Sequence, residues 1–202
     1  MKIDSKDTVE SVMLENAAVF NLANNAIYEQ LKDRECPKYV PMRLKFGIRD
    51  RKIRARSVRE ITMQELDTLQ NTLSGYKYFE KALAVMLSID EADVKNLRFL
   101  WAYRYFIEIL KELKDTANKW KSLKLPPTKE ERAAKVKRTP IGIFGICQSY
   151  AEAMGGGPKG VHDAWETPWV EIFSYMQQKY YDALEQRRMI ENSRKSQSNG
   201  HR

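Results

Sequence analysis

Histidine, cysteine and glycine are all scarce in this chain, and each scarcity removes a class of function. His162 and His201 are the only histidines in 202 residues, so a histidine-rich metal centre or a repeated acid–base relay has no material to build from. Cys36 and Cys147 are the only cysteines. They are too few for a disulfide framework and too isolated for a zinc site, and they read as reduced thiols in a cytosolic setting. Nine glycines and seven prolines favour helices over a β-sandwich. Long apolar runs are missing too. The richest stretch, LRFLWAYRYFIEIL, is broken by charges, and MKIDSKDTVESVM at the start carries charges where a signal peptide needs an apolar core. A membrane role is therefore not expected.

What is present is core-forming and basic. The composition, 43% hydrophobic with 10% aromatics, can fill an interior. The net charge of +8 is unevenly placed. Eight Arg or Lys fall between residues 43 and 59 against Asp50, and ten lie between 111 and 138 against four acids. Such a local field attracts polyanions or acidic proteins, although a solvated surface uses the same residues.

Helical spacing dominates the chain. Val9, Val12, Val19, Ile27 and Leu31 recur over residues 7–34, which Cys36-Pro37 closes. Met42 to Ile48 alternates instead, placing Leu44, Phe46 and Ile48 on one face and Arg43, Lys45 and Arg49 on the other. Asp50-Arg51 turns the chain into a return strand through Ile53, Ala55 and Val58, giving a basic hairpin near 42–58. Thr62 to Glu65 has capping-box spacing before Leu66, Leu69 and Leu73. Ser88 to Glu91 repeats it and should open a long helix carrying Val94, Leu97, Trp101, Tyr105, Ile109 and Leu113. Leu125-Pro126-Pro127-Thr128 breaks the pattern. The expected fold is mainly α: a bundle-like N-terminal unit (1–125) with one hairpin, a charged connector (126–139), a C-terminal helical pair (140–192) and a disordered tail (193–202).

Within the pair, a helix from Pro140 through Cys147 and Tyr150 is expected to end on Gly155-Gly156-Gly157, followed by an irregular segment. The last helix then begins at Thr167-Pro168. The glycines do not make a phosphate loop, because a helix precedes them and no Lys-Ser/Thr pair follows. The final helix places Trp169, Phe173, Met176 and Tyr180 on one stripe, onto which Trp165 can fold back. A stripe in so short a segment either packs internally or anchors a partner, and partner binding is the reading taken here. Arg43, Lys45, Arg49, Arg51, Lys52, Arg54 and Arg56 would steer an acidic partner. The alternative is a nucleic acid held by the hairpin, although only Phe46 interrupts the run and the alternation turns it inward.

The helical N-terminal unit, the proline-containing connector and the Trp-Glu-Thr-Pro-Trp-Val-Glu-Ile-Phe segment (165–173) together resemble bacteriophage tail-assembly proteins. The likeness is carried by residues 160–190. It covers chaperones of the tail tape measure as well as the small helical proteins that form rings at the head–tail junction. It implies a non-enzymatic protein whose partners are other virion or tail components. Independently of it, no cofactor is expected, further copies of the chain are candidate partners, and the expected location is the cytoplasm, which for a viral protein is the host cytoplasm or the virion.

Overall fold

The computed structural model describes residues 3–16, 27–44, 50–71, 76–136 and 141–199. The protein is mainly helical with one small antiparallel hairpin, as the periodicity predicts. The chain divides into two compact units, one comprising Met1–Ile61 and Glu65–Asp115, the other Thr62–Gln64 and Thr116–Arg202.

Unit 1 is organised around a backbone crossing that local patterns do not announce. Helix α1 (Val9–Asn16) starts where Thr8 and Ser11 exchange hydrogen bonds between side-chain oxygens and backbone N–H groups. Its first N–H groups, which have no partner inside the helix, reach the carbonyls of Leu97 and Lys95 at 2.9 and 3.0 Å. A second helical stretch, α2, is seen over residues 27–31. Strand β1 (Tyr39–Met42) pairs with β2 (Arg51–Arg54), with Val40 opposite Ile53 and Met42 opposite Arg51. The other edge of β1 is occupied: the N–H of Arg98 donates to the Pro41 carbonyl, and that of Arg43 to the Asn96 carbonyl.

This arrangement corrects two expectations. The hairpin spans 39–54 rather than 42–58: its first strand begins at Tyr39, includes Pro41, and leaves Leu44 exposed. Val58 belongs to a 3-10 turn, Val58–Glu60, held by Glu112, whose carboxylate accepts from the Ser57 hydroxyl and the Val58 N–H. Residues 45–49, which include Lys45, Phe46, Ile48 and Arg49, lie outside the described residues. The helix expected to run on from Glu91 is interrupted. After α3 (Met63–Asn71) and α4 (Tyr76–Leu87), the one-turn α5 (Glu91–Val94) stops, residues 96–98 bridge to Met42 and Thr8, and α6 (Phe99–Ser122) starts afresh. The new phase buries Phe99, Ala102, Tyr103, Tyr105 and Ile109 and puts Trp101 at 45% exposure. Phe79 meets Phe106 edge-to-face at 5.0 Å, and Phe99 stacks on Tyr103 at 5.5 Å.

Unit 2 takes the end of α6, then α7 (Lys129–Ala133), α8 (Ile143–Ala153), α9 (Gly157–Glu166) and α10 (Trp169–Asn199). The segment after the glycines is helical rather than irregular. Gly155 and Gly157 take positive φ (72° and 52°), and Gly156 allows α9 to start against α8. A Cβ on Gly156 would stand 2.7 Å from the Gly160 Cα. The tail expected to be disordered from 193 continues α10 to Asn199. The expected connector 126–139 carries α7, opened by a full capping box between Thr128 and Glu131. From α10, Arg187 donates to the Pro126 carbonyl and Arg194 pairs with Glu130 at 2.8 Å.

Candidate functional site

Two surfaces carry the predicted site residues, one in each unit. In unit 1 the register of the hairpin sorts its cations. Val40, Met42 and Ile53 face the interior, so Tyr39, Pro41, Lys52 and Arg54 share the opposite face, with Tyr39 across from Arg54 and Pro41 across from Lys52.

The cations are not equivalent. Arg56 is a structural residue: its guanidinium donates twice to Glu65 at 2.9 Å and to Ser88 at 2.8 Å, with further bonds to the carbonyls of Val85 and Glu60. The Glu65 hydrogen bonds hold its pKa above the ordinary arginine value. Its expected role in steering a partner is therefore corrected, because a half-buried fork committed to five acceptors offers little to a ligand. Arg54 is partly engaged, donating to both carboxylate oxygens of Glu60 at 3.0 and 3.1 Å. Asp50 is taken by Arg98 through two 2.8 Å bonds, which hold its carboxyl below the usual range. Arg43, Arg51 and Lys52 are exposed and form no ion pair among the described residues.

In unit 2 the tryptophan stripe turns inward. Trp169 is 1% exposed and packs edge-to-face on Phe173 at 5.9 Å, and Phe173 in turn meets Trp120 at 5.1 Å. Trp165, Phe173, Met176 and Tyr180 are half-buried. Trp169 as an exposed anchor is thus corrected: its ring fills the interior beside Ile172 and serves stability. The apolar surface that does meet water is elsewhere. Ile141 and Phe144 stand 68% and 61% exposed at the start of α8, with Ile141 lying over Gly145, while Tyr181, Met189 and Ile190 are exposed along α10. Tyr150 and Tyr175 pack edge-to-face at 5.5 Å, and Lys179 lies over the Tyr175 ring while donating to Ser149 at 2.6 Å.

No protein-family model, curated protein or solved structure matches the chain. What the surfaces can do must be read from their chemistry. Among the described residues no three His, Cys, Asp or Glu side chains gather to hold a metal, and His162 meets only Glu166, at 3.6 Å in the open. Desolvation, then the charge of Glu108, pushes the Cys36 thiol up, the opposite of what a nucleophile needs. Cys147 is buried.

Sequence reasoning missed Tyr39, Ile141, Phe144, Met189 and Ile190. For Tyr39 a signal was available: Tyr39-Val40-Pro41-Met42 alternates in phase with the hairpin, but Pro41 reads as a terminator. On an edge a proline is tolerated, since its carbonyl still accepts a bond.

Proposed function

We propose that this chain is a non-enzymatic assembly protein that binds other protein subunits through unit 2. The observation that carries the reading is the set of large apolar side chains left in water: Ile141 just ahead of α8, Phe144 in its first turn, and Tyr181, Met189 and Ile190 on α10. Single exposed apolar residues are commonplace, but rigid aromatic and aliphatic anchors clustered on a helix are a standard way of entering a partner's groove. The partner-binding role expected of the tryptophan stripe passes to these residues, while Phe173 packs on Trp120 and Trp169. The setting proposed is the assembly of a phage tail or virion, which rests on the likeness of residues 165–173 to tail-assembly proteins.

The test is affinity capture of the full chain from cells in which it is naturally produced, with bound subunits identified by mass spectrometry. Wild type is compared with the double variants Ile141→Ser/Phe144→Ser and Met189→Glu/Ile190→Glu. The expected result is that a partner recovered in near-stoichiometric amount disappears in at least one variant while circular dichroism is unchanged. Identical recovery from all three proteins would sink the reading. Recovery of virion or tail subunits identifies the setting, and partners of any other kind remove it.

A further inference from the structure

Among the described residues, no backbone bond is made to the outer edge of β2. The Ala55 N–H donates to the Lys38 carbonyl, so the pairs Lys38–Ala55, Val40–Ile53 and Met42–Arg51 are those bonded across the hairpin. The alternation then turns the N–H and C=O groups of Lys52 and Arg54 away from β1. Among the described residues nothing bonds to them there, whereas the corresponding edge of β1 is closed by Asn96 and Arg98. Natural sheets usually cover or shorten such an edge.

The side chains around this edge are of one sign. Lys52 stands on the open face, with Arg54 and the 52%-exposed ring of Tyr39 beside it. Arg43 and Arg51 flank one end and Lys38 the other, all exposed. The two nearby acids are already committed, Asp50 to Arg98 and Glu60 to Arg54.

We propose that the β2 edge receives an extended acidic segment of a partner protein as an added strand. Alternate backbone groups of the segment would bond to Lys52 and Arg54, and its carboxylates would meet Lys52, Arg51 and Arg43. A second copy of this chain is a poor occupant. Antiparallel β2–β2 pairing about a two-fold axis would set Arg and Lys opposite each other, and like charges directly across a ladder repel. A nucleic acid would satisfy the cations but has no regular amide ladder to match the edge, so charge and backbone together favour a peptide. The inference deepens the protein-binding reading above and rests on it.

The experiment is fluorescence polarisation with the full-length chain and three labelled probes. One is a strand-forming peptide alternating glutamate with valine, the second is the same peptide with every backbone amide N-methylated, and the third is an oligothymidylate. The first should bind about tenfold or more tightly than the second, because N-methylation leaves no ladder donor in any register. On the protein side, Lys52→Pro removes an outward N–H and leaves the β1–β2 bonds in place, whereas Lys52→Ala removes only the charge. The proline variant should lose several-fold more affinity than the alanine variant.

Equal binding of the two peptides, or equal losses for the two variants, would overturn the added strand and leave simple charge attraction. Tighter binding of the oligonucleotide than of either peptide would overturn it in favour of nucleic acid. If Lys52→Pro proves unfolded by circular dichroism, the comparison between the peptides decides alone. Capture that still depends on the α8 and α10 variants while the edge binds no peptide would leave the protein-binding reading standing and remove only this inference.

Discussion

Arg56 shows how a single residue read as a charge becomes a structural joint. By sequence it is one of the cations of the basic hairpin, yet its guanidinium ties the turn after β2 to α3 and to the C-terminal end of α4 through Glu65, Ser88 and the Val85 carbonyl. Nearby, the Tyr105 hydroxyl donates to the Arg56 carbonyl at 2.6 Å, so backbone and side chain of one residue are both held. Arg56→Ala should cost about 3 kcal/mol, because Glu65 and a main-chain carbonyl lose their donors in a partly dry site. Arg56→Lys should recover less than half of that loss, since an ammonium cannot reproduce the two-pronged contact with the carboxylate. Urea denaturation of unit 1 reads both values. A lysine variant as stable as wild type would mean that charge alone, and not the fork, matters here.

At the scale of elements, legibility followed the range of the forces. Helices α3, α6 and α10 are legible because their apolar spacing is local and repeats from turn to turn. The break at 95–98 is not, because what stops the helix is a set of backbone bonds to residues 7–10 and 41–43, far away in sequence. The pattern Val94, Leu97, Trp101 therefore predicted a buried Trp101, and the restart at Phe99 placed it in water. The candidate site suffered in the same way. Spacing alone put Trp169 and Phe173 on one stripe correctly but could not say that Trp120 and Ile172 would fill the space around them. The glycines between α8 and α9 hold a testable version of this lesson. Gly156 is required by proximity: a Cβ there meets the Gly160 Cα at 2.7 Å, backbone against backbone, with no flexible side chain to yield. Gly156→Ala should destabilise unit 2 by about 2 kcal/mol through distortion of the first turn of α9, to which Gly160 belongs. Gly142→Ala, at a position with nothing within 4 Å, should cost less, about 0.5–1 kcal/mol, the difference between glycine and alanine as the N-cap of α8. Thermal unfolding followed by tryptophan fluorescence would compare them, and equal midpoints for the two variants would refute the close-approach argument.

For the molecule as a whole, charge and burial meet at alkaline pH. The chain carries +8 at neutral pH and reaches its isoelectric point near 9.4, so mutual repulsion between molecules fades as that value is approached. Just above it a second effect begins. Tyr103 is buried in unit 1, and desolvation, with a smaller contribution from Tyr28, pushes its pKa from 10.0 up to about 12. Burial raises Tyr105 as well. In the unfolded chain these phenols ionise near 10, while in the folded protein they stay neutral. The stabilisation they represent is therefore complete below pH 10 and is lost as the pH climbs from 10 through 12, because base is taken up preferentially by the unfolded state. The urea midpoint should hold steady with respect to these groups up to pH 10 and fall beyond it. Tyr103→Phe, which has no phenol to ionise, should show a shallower fall over the same interval while matching wild type at neutral pH to within about 1 kcal/mol. Ultraviolet absorbance of tyrosinate, recorded with the midpoints, would show whether ionisation and unfolding coincide. If the phenylalanine variant declines as steeply as wild type, Tyr103 does not set the alkaline limit, and Tyr105 or the lysines set it instead.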